Sequence, residues 1–171
     1  MKYFTPELLN RFGSDDEDVS AAAHDEWDRA IARYKRRMAR IKTAFPAEVQ
    51  RFEQEHICLH DAEVLSIARQ EERFVMVMHM EPPSQNLVIL TFTLDGVPEI
   101  ETEVFPGPTT TGRVFWLYEE FHLDRRKRCW FEVQLSNGCV IRLAFRDFQS
   151  LVAETVRLQL PGRGGRTVKT A

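Results

Sequence analysis

The apolar positions divide the chain into a helical first third and a strand-like remainder. Apolar residues recur at intervals of four and three over residues 27–45, at Trp27, Ile31, Tyr34, Met38, Ile41 and Phe45. This spacing keeps them on one face of a long helix. Thr5 before Pro6 predicts the start of a short earlier helix. Pro46 ends the long helix and begins another over "PAEVQRFEQEH".

The hydrophobic period becomes strand-like after Asp61. Seven runs rich in Val, Ile, Phe and Thr follow, namely "EVLSIAR", "FVMVMHM", "LVILTFT", "EIETEVF", "VFWLYEEFHL", "CWFEVQL" and "CVIRLAF". Turn-like segments separate them, which predicts antiparallel strands. The next segment, "RDFQSLVAETVRL", has apolar residues near helical spacing and predicts a terminal helix.

These elements predict a single α+β domain over residues 1–160. Its N-terminal helices, over 1–57, pack on a mostly antiparallel sheet of six or seven strands over 62–146, and a short helix spans 147–159. Residues 161–171 have no apolar periodicity, so we predict a flexible tail.

The turn in "LSNGC" allows two hairpin registers. A two-residue Asn-Gly loop would place Arg142 opposite Val133, on the apolar face. A three-residue loop with Gly138 in a left-handed bulge pairs Val133 with Ile141 instead. Because a one-residue slip moves every side chain to the other face, the second register keeps the apolar residues together, and we predict it.

Composition limits the possible compartments and partners. The chain has 171 residues, of which 43% are hydrophobic, and a net charge of −3. A net charge of this size and sign does not attract nucleic acid or an anionic membrane to the protein as a whole. Three cysteines without framework spacing are typical of a reducing compartment. We see no signal peptide and no run of about 20 apolar residues, so we expect a cytoplasmic protein that does not enter a membrane.

Three segments carry a resemblance to known proteins: "MKYFTPEL", "LHDAEVLSI" and "YEEFHLDRRKRCWFEVQLSNGCVIRLAFRDF". Together they resemble a bacterial family of uncharacterised proteins, a domain of unknown function, over most of residues 1–150. The second half is also loosely similar to small sheet proteins among bacterial toxin-immunity families. This resemblance implies an antiparallel sheet with helices and a role in binding another bacterial protein, and it supplies no catalytic residue.

The stretch "HICLHDAE" is the first candidate site. On an extended strand His56, Cys58 and His60 would share one face and could chelate zinc. The preceding segment, however, predicts a helix that would rotate His56 away from His60. We therefore interpret the stretch as a helix end where His60 and Asp61 make local hydrogen bonds, and we expect no bound metal and no cofactor.

The stretch "YEEFH" is the second candidate site. Alternation along a strand places Trp116, Tyr118, Glu120 and His122 on one face. Glu120 and His122 could act as acid and base, together with His60 and Asp61 in a hydrolase. No nucleophile elbow, phosphate loop or metal signature accompanies them. We interpret these four β-strand residues as a binding face, with Trp116 as its anchor.

The long helix also separates its charges. Residues 15–28 contain seven acids and no base, and residues 29–42 contain seven bases and no acid. Arg29, Arg33, Arg36 and Arg40 share one helical face and could contact phosphates. The acidic half would repel a polynucleotide passing along the helix. We therefore expect a solvated face whose bases form salt bridges within the fold, and no nucleic-acid contact.

The favoured function is thus a non-enzymatic protein-interaction module of the antagonist or adaptor type. A hydrolase using His60, Asp61, Glu120 and His122 is the alternative, and nucleic-acid binding through the basic half-helix is the second. The sequence leaves the partner and the oligomeric state open.

Overall fold

A computed structural model describes residues 1–55, 58–80, 86–102 and 112–154. Helix α1 spans Pro6–Phe12, and its N-cap Thr5 accepts a hydrogen bond from the backbone N–H of Leu8. Helix α2 spans Glu17–Ile41, and the Asp16 side chain caps it by accepting from the N–H groups of Asp18 and Val19. Both caps satisfy N–H groups that have no partner within the helix.

Helix α2 buries the face that its periodicity predicts. Trp27, Met38 and Ile41 are buried, and Phe45 is buried just after a 3-10 turn over Lys42–Ala44. Helix α3 then spans Ala47–Glu55 and buries Val49 and Phe52. No helix within the described ranges combines the length and the apolarity that crossing a membrane would require.

A seven-stranded antiparallel sheet follows the helices. Its strands are β1 (Glu63–Gln70), β2 (Arg73–His79), β3 (Leu87–Leu94), β4 (Glu99–Glu101), β5 (Trp116–Leu123), β6 (Cys129–Leu135) and β7 (Val140–Ala153). The strand order is β1-β2-β3-β7-β6-β5, and β4 pairs with the start of β7. An isolated bridge between Glu63 of β1 and Phe115, the residue before β5, joins the two ends of this order, so the sheet curls upon itself. The predicted α+β class and the predicted strand number are both confirmed.

Two apolar clusters hold the helices on the sheet. The larger cluster lies inside the curled sheet beneath α3 and the end of α2, where Phe52 packs edge-on against Phe148 and Phe121. The smaller cluster joins the N-terminal segment to α2 through Phe4, Leu8 and Trp27. Phe4 and Trp27 rings lie 5.1 Å apart. The N-terminal segment is thus part of the fold, and its position matters for the sites described below.

The β6–β7 hairpin has the register that the apolar pattern predicts. Val133 pairs with Ile141, and Phe131 pairs with Leu143. Gly138 has a φ of 80°, in the left-handed region. The N–H of Leu135 donates to the carbonyl of Cys139, which closes the three-residue loop. Keeping the apolar residues on one face therefore selects this register over the Asn-Gly alternative.

The predicted terminal helix over 147–159 is wrong over its first seven residues. Strand β7 continues to Ala153 and pairs with the whole of β3, for example Phe148 with Phe92. Phe148 is buried, whereas Leu151 and Val152 are exposed. Apolar residues on both faces imitate helical spacing here, and the hydrogen bonds to β3 decide the structure. Residues 155–159 and the predicted tail lie outside the described residues.

Candidate functional site

The predicted binding face on β5 is not an exposed surface. A register shift between Trp116 and Tyr118 breaks the alternation of the strand. Trp116 is fully buried in the larger core and Glu120 is almost fully buried, while Tyr118 and His122 are partly buried. An exposed face with Trp116 as its anchor is therefore contradicted, because β-bulges re-aim neighbouring side chains.

Glu120 holds the N-terminal segment in place. One of its carboxylate oxygens accepts hydrogen bonds from the backbone N–H groups of Lys2, Tyr3 and Phe4, at 2.7–3.1 Å, and the other accepts from Lys2 at 2.9 Å. Charge-assisted bonds of this kind are among the stronger ones in proteins. Because its oxygens are occupied by backbone donors, Glu120 is not available as a general base, and its role is structural.

His122 belongs to a separate charged cluster beside Glu120. Its Nε2 lies 4.0 Å from Glu132, whose carboxylate also lies 3.4 Å from the Nε of Arg142. Arg142 in turn pairs with Glu101 on β4. Burial lowers the pKa of His122 against the opposing effect of the Glu132 charge. This cluster joins β4, β5, β6 and β7 through paired charges.

The described part of the "HICLHDAE" stretch, residues 58–63, precedes and begins β1. Asp61 has a φ of 64°, and the N–H of Ala62 bonds to the carbonyl of Leu59 in a turn. The Nε2 of His60 lies 3.4 Å from Asp61, while its Nδ1 lies 2.8 Å from the carbonyl of Leu117 on β5, so its hydrogen-bond partner is distant in sequence rather than local as expected. Among the described residues, no hydrogen bond, ion pair or ring contact joins His60 or Asp61 to Glu120 or His122.

The candidate metal ligands are only partly described. Cys58 and His60 are both exposed, and His56 lies outside the described residues. Within the described part of the chain, no three His, Cys, Asp or Glu residues are grouped so that they could hold a metal ion. The prediction that the protein binds no metal stays a prediction.

An acidic cleft between α2, α3 and β5 is the feature that sequence analysis missed. Its volume is about 280 Å³, and its lining comprises Phe4, Ile31, Tyr34, Lys35, Phe52, Glu53, Tyr118 and Glu119. A second hollow of about 310 Å³ between α2 and α3 shares Tyr34, Lys35 and Glu53 with it. Glu53 therefore lines both hollows.

Burial raises the pKa of both carboxyl groups of the acidic cleft, Glu53 and Glu119. Desolvation, followed by the negative charge of Glu119, raises the pKa of Glu53 from 4.5 to about 7. Burial also raises the pKa of Glu119, although the indole N–H of Trp116 donates to its Oε2 at 2.6 Å and His60 lies near enough to favour the anion. At neutral pH the pair therefore retains part of a proton.

Aromatic side chains form the walls of the acidic cleft. The hydroxyl of Tyr34 accepts a hydrogen bond from the N–H of Phe121 at 2.9 Å, which fixes its ring between α2 and β5. The Tyr118 ring lies 4.8 Å from the His60 ring and 4.3 Å from the Trp27 ring. Burial raises the pKa of both tyrosines, so both stay neutral around pH 7. Lys35 is exposed at the rim and forms no ion pair with Glu53 among the described residues.

No pattern in the sequence pairs Glu53 with Glu119. The two residues lie on different elements, α3 and β5, and each belongs to an ordinary polar stretch of its element. The bulge between Trp116 and Tyr118 also brings Trp116 to the side chain of Glu119, which strict alternation would place on the opposite face. Only the "EE" of "YEEFH" indicated this part of the chain, and the alternation along the strand pointed to Glu120 instead of Glu119.

The basic half of α2 differs from expectation in its pairing. The bases of this region are all exposed, as predicted, and they are Arg29, Arg33, Lys35, Arg36, Arg37, Arg40 and Lys42. Within the described residues, however, none of these bases forms a salt bridge. Arg33, Arg36, Arg37 and Arg40 line a cleft of about 440 Å³ together with Lys2 and Tyr3. We call this the basic cleft. The salt bridges expected for these bases are therefore not found among the described residues, where the charges of Arg29 and Arg33 act on Glu26 without direct contact.

Comparison of the chain with protein-family models, curated proteins and solved structures found no match of any of the three kinds. The resemblance to a bacterial family and to toxin-immunity proteins therefore stays a prediction.

Proposed function

We propose that this protein is a recognition module whose acidic cleft receives a basic side chain of a partner protein. The observation that carries the proposal is the pair of partly buried carboxyl groups, Glu53 and Glu119, in an aromatic-walled cleft. A module of this kind agrees with the interaction role that the sequence favours. We place it in a reducing compartment such as the cytoplasm, since Cys58, Cys129 and Cys139 are all free thiols.

A guanidinium or ammonium group suits the chemistry of the acidic cleft. Bringing two carboxylates together in a desolvated place is unfavourable, and a cation between them would remove that cost. Tyr34 and Tyr118 add ring faces that attract a cation, and arginine stacks on such faces especially well. The partner's side chain would therefore contact both the carboxyl groups and the tyrosine rings of the acidic cleft.

Binding of a cation should release a proton. The pKa of Glu53 is about 7, and a cation is bound best by the ionised carboxyl. Affinity should therefore rise about tenfold between pH 6 and pH 8, as the ionised fraction of Glu53 increases.

A direct test uses a short acetylated and amidated Gly-Ser peptide that contains one arginine. The matched ligand replaces arginine with citrulline, which keeps the shape and removes the charge. Calorimetric titration at pH 8 should detect the arginine peptide and not the citrulline peptide. Glu53→Gln and Glu119→Gln should each weaken binding at least tenfold, whereas Lys35→Gln should strengthen it by removing a competing cation.

Glu55→Gln is the control variant, because Glu55 is exposed on the same helix and does not line the acidic cleft. Binding that Glu55→Gln weakens as much as Glu53→Gln would contradict the proposal, and so would equal binding of the citrulline peptide.

Acid–base catalysis is the second candidate, and the pKa of Glu53 favours it. A carboxyl that titrates near pH 7 can both donate and accept a proton under physiological conditions. The test is turnover of a panel of ester, phosphate and glycoside substrates. Catalysis that Glu53→Gln abolishes, with a pH profile bending near pH 7, would establish this function in place of recognition.

A further inference from the structure

The basic cleft is an independent feature with its own ligand chemistry. Arg33, Arg36, Arg37 and Arg40 occupy positions i, i+3, i+4 and i+7 of α2, so they form one continuous strip of guanidinium groups. Lys2 adds a fifth positive charge, and the lining of the cleft contains no acid. None of the five cations forms an ion pair with another described residue.

The opposite wall of the basic cleft is held rigidly by the fold. Lys2 and Tyr3 donate their backbone N–H groups to the buried carboxylate of Glu120. The Tyr3 ring also lies 5.6 Å from the Tyr34 ring of α2. The N-terminal segment is thus fixed beside the arginine strip, and the result is a preformed cleft rather than a flat charged surface.

We propose that the basic cleft binds an oligophosphate, meaning a chain of two or more linked phosphates, either free or as part of a nucleotide. One guanidinium group can donate two parallel hydrogen bonds to a phosphate. The basic cleft contains four arginines and one lysine. Arg33 and Arg40 are separated by about 10 Å along the helix axis. A single phosphate cannot reach across this distance, whereas a linked chain can contact successive arginines.

The remainder of α2 disfavours a longer polyanion. Asp28, Asp25 and Asp18 are exposed on the N-terminal half of the same helix. A polynucleotide extending along α2 would meet these carboxylates within a few turns and be repelled. Arg36 and Arg40 lie about 12 Å or more from Asp28 along the axis, which exceeds the screening length at physiological salt. A short ligand confined to the cleft avoids the repulsion.

Calorimetric titration with inorganic triphosphate tests the proposal. At 50 mM NaCl we expect one binding site, with an affinity at least tenfold higher than for orthophosphate, and a marked weakening at 200 mM NaCl. Arg36→Gln and Arg40→Gln should each weaken triphosphate binding about tenfold. Arg29→Gln is the matched control, because it removes a base from the same helix outside the basic cleft, and it should change affinity less than twofold.

Two further ligands separate the sources of binding. Adenosine triphosphate that binds as tightly as inorganic triphosphate would show that the phosphates alone are recognised. Tighter binding of the nucleotide would show that the cleft also contacts the nucleotide base. Tyr3→Leu should then abolish the difference in affinity between the nucleotide and inorganic triphosphate. The proposal is overturned by absence of triphosphate binding at 50 mM NaCl, by equal loss in Arg29→Gln, or by a hexaglutamate peptide that binds as tightly as triphosphate. These outcomes are separate from those of the arginine-peptide test, since the acidic and basic clefts share no lining residue.

Discussion

Replacing Glu53 with glutamine should stabilise the protein at pH 8 and have little effect at pH 5. The carboxyl of Glu53 has its pKa raised to about 7 in the folded state, against 4.5 for an ordinary glutamate. Between these two values the folded state binds more protons than the unfolded state. The free energy of unfolding therefore falls as the pH rises from about 4.5 to about 7, and the loss is complete above pH 7.

The size of the effect follows from the two pKa values. One pH unit corresponds to 1.36 kcal/mol, so a rise from 4.5 to about 7 corresponds to a penalty of about 3 kcal/mol for ionised Glu53. Because part of the side chain is still exposed, solvent reduces this figure, and we expect about 1–3 kcal/mol. Glutamine resembles the protonated acid in shape and carries no charge, so Glu53→Gln should recover that amount at pH 8.

Urea unfolding of both proteins at pH 5 and pH 8 measures the effect. The midpoint should increase in Glu53→Gln at pH 8, with an unchanged dependence on urea concentration. Glu55→Gln, at an exposed position of α3, should give the same small change at both pH values. Glu119→Gln should reduce the pH dependence of the wild-type protein without removing it, because burial contributes more than the Glu119 charge to the raised pKa of Glu53. A stability gain in Glu53→Gln that is equal at both pH values would refute the reasoning.

Four other perturbations test separate parts of the structure. Gly138→Val should cost about 1–2 kcal/mol or more because of its positive φ, while Asn137→Ala should cost less; equal losses in urea would show that the hairpin register is wrong. Trp116→Ala should cost about 3–5 kcal/mol, and a small loss in the same assay would contradict its burial. Glu120→Ala should cost about 1–3 kcal/mol and speed hydrogen exchange at the amides of residues 2–4, whereas unchanged exchange would mean that these amides have other partners. Protein purified without chelators should contain no stoichiometric zinc, and zinc that disappears in His60→Ala would disprove this.

Local pattern was sufficient for most of the secondary structure. The α2 stripe from Trp27 to Phe45 predicts the buried helix face because one period governs both spacing and burial. The register at Gly138 was predictable because a slip of one residue would bury Arg142 among apolar side chains. In both cases the sequence admits one arrangement that hides the apolar residues, and the protein adopts it.

The candidate site depended on information that no local pattern contains. Whether Trp116 faces solvent or the core depends on a bulge, and a bulge leaves no regular trace in the alternation of β5. Glu120 looks like a catalytic acid in the sequence, yet the N–H groups that occupy it come from the far end of the chain. The segment after Phe145 could be helix or strand by its spacing, and its long-range pairing with β3 decides for strand.

The double role of β7 has a consequence for how the chain folds. Its first residues pair with β6, and eight of its residues from Phe145 to Ala153 pair with β3, so it links the β1–β3 meander to the β5–β6 hairpin. Each of those smaller units closes over short turns and can form early. The pairing of Leu87 with Ala153 instead joins residues separated by 66 positions in the chain, and its closure entropy has to be overcome before any contact is gained. We therefore expect the two halves of the sheet to form first and the docking of β7 on β3 to limit the rate of folding.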